Sequence, residues 1–210
     1  MSNHILIDGK MYHLTDAQAE AIASAIRETG VDFPKKVLFP NVEDGGIFKI
    51  GKTNYIKFPD VHGKTPVVAR DILFISRFGK DNDLLKSDVL DSLYKNYLPE
   101  VIAAVGKENV LKFKTDLTTL DGLHPYGDLE SLVSLPTLDF YRKHVAIFDK
   151  YPVNEWWWLA APESAAPHGK PRFTLCVSPS GFISIDGYDR DRGVRPFYIL
   201  NSSIFGSCEA

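Results

Sequence analysis

The chain has 210 residues, 44% of them hydrophobic, 24% charged and 12% aromatic, with a formal charge of −3. That length suits one large domain or one domain with a small appendage, and that composition excludes wholesale disorder because there is enough apolar surface to fill a core. The mild acidity gives no field for a polyanion, no local basic patch stands out, and no apolar window reaches membrane length, so neither nucleic acid nor a membrane is an expected partner.

The opening Met1-Ser2-Asn3-His4-Ile5-Leu6 lacks the basic region and apolar stretch of a signal peptide, which predicts a protein made in the cytoplasm and not exported by that route. Ile5-Leu6-Ile7 and Met11-Tyr12-His13-Leu14 flank Asp8-Gly9, a dipeptide suited to a tight turn, so a β-hairpin is predicted. Thr15 then stands as an N-cap with Gln18 as its capping-box partner, and Ala19, Ile22, Ala23 and Ile26 recur at helical spacing up to Gly30. Pro34, Pro40 and Gly45-Gly46 mark a connector. Residues 1–45 therefore read as a hairpin-helix docking element with its connector, and 46–210 as the main domain.

Within that domain, strands are expected at 47–50, 54–58 and 67–75, in a meander. Leu84 to Val105 carries a helical period broken at Pro99, which predicts two helices joined at a kink, with Ser87 capping the first. Thr137 announces a further helix toward Tyr151-Pro152. The rest is read as strand and loop. Arg172–Val177 and Phe182–Asp186 form a hairpin around Ser178-Pro179-Ser180-Gly181, with Phe173, Leu175 and Val177 on the core face and Arg172, Thr174 and Cys176 on the other. Val194–Leu200 is read as one terminal strand. Cys176 and Cys208 have neither a disulfide-framework nor a zinc spacing and read as free thiols, with a bridge between them the alternative.

Trp156-Trp157-Trp158-Leu159-Ala160-Ala161-Pro162, then a serine-punctuated hairpin, then Gly193-Val194-Arg195-Pro196 closing on an apolar strand resembles the C-terminal signature of an uncharacterised domain family of Gram-positive gut bacteria and their phages. The phrases Thr115–Gly122 and Val133–Arg142 resemble that family too, so the likeness covers roughly residues 47–204. It implies an α+β, C-type-lectin-like domain: two or more helices on small twisted antiparallel sheets, with ligand loops before the final strand. Formylglycine-generating enzymes and the variable receptor-binding proteins of diversity-generating retroelements share that fold, so fold alone does not choose between catalysis and binding.

Trp156, Trp157 and Trp158 are read as structural, Trp157 pointing opposite to its neighbours; an exposed tryptophan stacking on sugar is the alternative. Arg195 is read as structural, its fork held by a carboxylate or by carbonyls near the sheet. The candidate binding residues lie on two loops. One carries Glu163, Ser164, His168, Lys170 and Arg172, with His168 and Lys170 suited to an acidic group. The other carries Asp186, Tyr188, Asp189, Arg190, Asp191 and Arg192, where tyrosine and arginine are residue types enriched at interface hot spots, and where Gly187 and Gly193 are expected to turn the backbone away from the sheet. Three aspartates there also match the oxygen donors of calcium, but the motifs of calcium-dependent lectins are missing, so no metal and no cofactor is expected.

No nucleophile elbow, histidine-rich metal spacing or phosphate-cradling glycine loop is present, and the two cysteines do not reproduce the paired active-site cysteines of the formylglycine-generating enzymes. The expectation is a non-catalytic binding protein of phage or prophage origin, a virion- or tail-associated component in a larger assembly. Its partners would be a protein or glycan on a host surface and other virion proteins. The alternative is a host-cytoplasmic phage effector that inhibits a defence protein by direct binding, with an enzyme of formylglycine-generating type a distant third.

Overall fold

A computed structural model of the protein describes residues 4–7, 10–13, 15–18, 20, 21, 24 and 42–205. The chain divides into two units, Met1–Val37 and Leu38–Ala210. In the first, strands β1 (His4–Ile7) and β2 (Lys10–His13) pair antiparallel with Ile7 opposite Lys10. Residues 16–18, 20, 21 and 24 are helical. The capping box is made as predicted: the Thr15 amide donates to Gln18 Oε1 at 2.9 Å and the Gln18 amide to Thr15 Oγ1 at 3.3 Å. The expected continuation to Gly30, the connector prolines Pro34 and Pro40, and Cys208 lie outside the described residues. Gly45, read from sequence as connector, is instead packed on the second unit. Its amide donates to the Lys57 carbonyl at 2.7 Å, and its carbonyl accepts from the Tyr151 hydroxyl at 2.6 Å.

The second unit is α+β. One sheet has the order β3 (Ile47–Ile50), β4 (Thr53–Lys57), β5 (Lys64–Ala69), β14 (Phe197–Asn201), β7 (Val110–Leu111). Another runs β12 (Ile183–Gly187), β11 (Phe173–Val177), β10 (Trp157–Pro162), β13 (Arg192–Val194), β6 (Phe74–Ser76). β10 and β13 are parallel and the other pairs antiparallel. A third pair, β8 (Phe113–Asp116) with β9 (Asp128–Ser131), was not anticipated from the sequence.

Two runs read as single strands are divided between the sheets. Residues 67–75 end β5 at Ala69 and resume as β6 at Phe74, and residues 194–200 end β13 at Val194 and resume as β14 at Phe197. The two crossings run side by side: the Ala69 amide donates to the Pro196 carbonyl and the Leu73 amide to the Val194 carbonyl, both at 3.0 Å. Pro196 has no N–H to offer a ladder, which favours a break in pairing there.

Ser87 caps helix Asp88–Ser92, its hydroxyl accepting from the Leu90 amide at 3.0 Å. The break expected at Pro99 is a π turn, Leu93–Tyr97, just before it, and Pro99 is the second residue of helix Leu98–Val105, which continues from that turn. Thr137 caps helix Leu138–Lys143 by accepting from the Phe140 amide at 3.1 Å, and the helix stops at His144 before a short one, Val145–Phe148.

Neighbouring apolar residues serve opposite cores. Val67, Trp158 and Cys176 join the cluster around helices 88–105, while Val68, Trp157 and Leu175 join the cluster around Tyr141 and Phe148. Strands buried on both faces explain why these segments read as nearly continuous apolar runs. They also correct one expectation. The alternation in β11 holds, but Thr174 and Cys176 are as buried as Leu175, because a second core covers their face. The Cys176 thiol is free and its pKa is pushed up to about 12 by burial, with the Asp186 carboxylate adding to the effect. No helix among the described residues is long and apolar enough to cross a membrane.

Candidate functional site

The loop after β10 is held from inside. Asn82 is fully buried, and its amide nitrogen donates to the carbonyls of Ser164 at 2.9 Å and Phe173 at 3.0 Å, while its oxygen accepts from the Tyr126 hydroxyl at 2.7 Å. One side chain thereby clasps both ends of the loop. Asp121 grips the middle: its carboxylate accepts from the hydroxyls of Thr119 and of Ser164 (2.7 Å), with His168 Nδ1 at 3.3 Å. The Thr119 hydroxyl first, then that of Ser164, holds the Asp121 carboxyl below the usual carboxylate range. Main-chain bonds from Leu120 to Pro162 and from Asp121 to Glu163 complete the seam. Ser164 and half-buried Glu163 are thus part of the clasp, whereas His168, Lys170 and Arg172 remain exposed.

The second loop is more structural than its sequence suggested. Asp186 and Arg192 form an ion pair, and the Arg192 guanidinium lies 5.8 Å from the Trp156 ring, which in turn meets Phe182 edge-on at 5.3 Å. Tyr188 is half-buried against the first core, its carbonyl accepting from the amides of Phe78 and Gly79. Only Asp189, Arg190 and Asp191 are exposed. Gly187 and Gly193 are not hinges, since neither has a positive φ. Gly193 is a buried strand residue whose missing Cβ makes room for Ile72. Tyr188 and Arg192, read as candidate binding residues, are thus also tied into the fold. The two loops do meet, through a bond of 3.0 Å from the Tyr188 amide to the Arg172 carbonyl.

The tryptophans are in the cores. Trp157 is 2% and Trp158 0% exposed on opposite faces, Trp156 is half-buried on the Trp158 side, and the Trp158 indole donates to the Ser76 carbonyl at 3.0 Å. A tryptophan sugar platform is not formed. Arg195 is 1% exposed; its Nε donates to the Ala69 carbonyl at 2.9 Å, so the partner is a carbonyl rather than a carboxylate.

Sequence reasoning missed Asn82, Thr119, Asp121 and Tyr126, although Asp121-Gly122 lies inside one of the quoted family phrases. It also missed Asp116, His124 and Asp128, whose ligand atoms lie within 4.8 Å of one another, the one such group among the described residues. The carboxylates of exposed Asp116 and half-buried Asp128 are already engaged, Asp116 by Thr118 at 2.6 Å and Asp128 by Lys114 at 2.5 Å, which is the pattern of a surface ion-pair cluster. Asp186, Asp189 and Asp191 form no such group. Comparison of the chain with protein-family models, curated proteins and solved structures finds no match.

Proposed function

We propose that this chain is a non-catalytic binding protein of phage or prophage origin, a virion- or tail-associated component. Its main unit would be a C-type-lectin-like domain that offers the 162–172 and 186–192 loops to a protein or glycan on a host surface. The observation that carries the reading is the clasp of Asn82 and Asp121, which holds the first loop in one shape while leaving His168, Lys170 and Arg172 outside. A loop ordered before it meets a partner loses less entropy on binding. These exposed side chains, with Arg190 exposed on the second loop, offer cationic and polar groups suited to acidic or hydroxyl-rich surfaces. The lectin-like reading draws further support from the chain's course: its last strand, β14, returns to the sheet begun by β3 and β4, and the candidate loops precede it. The first unit, Met1–Val37, is the docking element to other virion proteins in this scheme.

Mass spectrometry of purified virions should contain the chain. The change Lys170→Ala/Arg172→Ala/Arg190→Ala should leave its melting temperature near the parent value while weakening retention on host surface material about 10-fold, or ~1.4 kcal/mol. Absence from virions together with no retention on host surfaces refutes the assignment.

A further inference from the structure

Beneath the Ser178–Gly181 turn of the β11–β12 hairpin lies a cavity of about 330 Å³, walled by Tyr141, Tyr151, Pro152 and Val153 and reaching Arg195. It is distinct from the loop surface, and the inference from it goes beyond the proposed function. Arg195 is the unusual member. Its Nε is bound to Ala69, but its Nη2 is buried and has no hydrogen-bond partner among the described residues. No carboxylate there forms an ion pair with it. The acid that acts on it most, Asp71, is already bound to Arg70 at 2.7 Å. The guanidinium rests 4.9 Å from the Trp157 ring and 5.2 Å from Phe148, contacts that offset part of the desolvation but supply no negative charge. Burial lowers its pKa to about 10, which still leaves it charged at neutral pH.

A buried guanidinium without a counter-ion is costly, and a cavity that reaches it provides the place for one. The walls select among anions. Nε is occupied and no hydrogen bond among the described residues holds either Nη nitrogen, which leaves the end of the fork for a carboxylate, while Asp149 on the cavity wall disfavours a second negative charge. Ser178 and Ser180, whose hydroxyls lie 3.0 Å apart at the turn, supply a further donor. The phenol hydroxyls of Tyr141 and Tyr151 are spent on the carbonyls of Gly181 and Gly45, so these residues present rings. We propose that this cavity binds a small monocarboxylate, with its charge on Arg195 and its body among Tyr151, Pro152 and Val153.

The test uses the full chain, with phenylacetate and glucuronate as probes for an apolar acid and a sugar acid, and phenylacetamide and inorganic phosphate as controls at matched ionic strength. At least one carboxylate should raise the melting temperature saturably and neither control should do so; the carboxylate that acts identifies the source. Arg195→Gln should abolish the shift. Because that variant removes the Ala69 bond and can fail to fold, Ser180→Trp on the exposed turn provides a second route: it should block the cavity and abolish the shift with the parent melting temperature retained. Asp149→Asn should tighten binding about 2- to 5-fold. No shift with either carboxylate, equal shifts with phenylacetamide or phosphate, or full binding by Ser180→Trp overturns the proposal.

Discussion

Replacing Gly193 by alanine adds one methyl group to a strand with no room for it. An ideal Cβ there lies 2.9 Å from Ile72 Cγ1 and 3.0 Å from Cγ2, with Cδ1 nearer still. Carbon atoms in contact settle at ~3.5–4.0 Å, so three atoms of one side chain are each too close by ~0.5 Å or more. Either Ile72 leaves its position or β13 shifts, and β13 is tied to the residue just before β10 by a bond of 2.7 Å from the Gly193 amide to the Trp156 carbonyl. Overpacking of this kind costs ~1–3 kcal/mol, and three short contacts place this site at the upper end, ~2–3, while loss of glycine freedom in the unfolded chain returns ~0.5–1. A net loss of ~1–2 kcal/mol should lower the melting temperature by ~2–8 °C in a chain of this size. Thermal and denaturant unfolding of Gly193→Ala, Ile72→Ala and the double variant decide the matter. Once Ile72 is truncated the alanine fits, so the double variant should be more stable than the sum of the singles by ~1 kcal/mol. Parent stability in Gly193→Ala, or additivity of the two changes, refutes the reasoning.

Leu175→Ala should cost ~2–5 kcal/mol, whereas Thr174→Val should be neutral or stabilising, because Thr174 Oγ1 is buried without a partner; the reverse order in denaturant midpoints means the packing of β11 is misread. A fragment starting at Leu38 should be more stable than one starting at Gly46 by ~1–3 kcal/mol, since the latter loses both hydrogen bonds of Gly45; equal midpoints contradict the packing of that segment. Asp121 has a depressed carboxyl pKa, so its contribution is present above the unfolded value and lost as pH falls through the folded one. Amide exchange in 162–172 should therefore quicken as pH drops below ~4, after correction for intrinsic rates, and Asp121→Asn should show quick exchange already at pH 7. Exchange independent of both changes removes Asp121 from the clasp.

Signals that act over three or four residues were legible. Thr15 with Gln18, Ser87 and Thr137 all cap as read, because a cap needs only its own turn. The opposite facing of Trp157 and Trp158 follows from the two-residue period of a strand. What stayed hidden depends on partners far along the chain. Arg70-Asp71 and Arg195-Pro196 interrupt the apolar runs at 67–75 and 194–200 where one strand ends, but nothing local says that the chain resumes in a different sheet. Thr174 reads as solvent-facing until a second core is known to cover it. Asp121 meets Ser164 across 43 positions, and Asn82 meets the same residue across 82, separations that no spacing rule can bridge.

The structural and functional readings of Arg195 do not compete, because they use different atoms. Its Nε ties together the two crossings between the sheets by bonding Ala69, while no hydrogen bond among the described residues holds the Nη end of the fork and the residue also lines the cavity. The same hairpin then separates the two candidate sites. β11 leaves the first loop at Arg172 and reaches the cavity turn after Val177, and β12 returns to Tyr188 at the second loop. Five strand residues span ~17 Å, so loop surface and cavity lie at opposite ends of one rigid element. Alanine at Lys170, Arg172 and Arg190 should therefore leave carboxylate binding unchanged, and Ser180→Trp should leave host-surface retention unchanged. Loss of both activities in either variant would mean that the hairpin transmits a change between its ends, through β11 and β12 themselves.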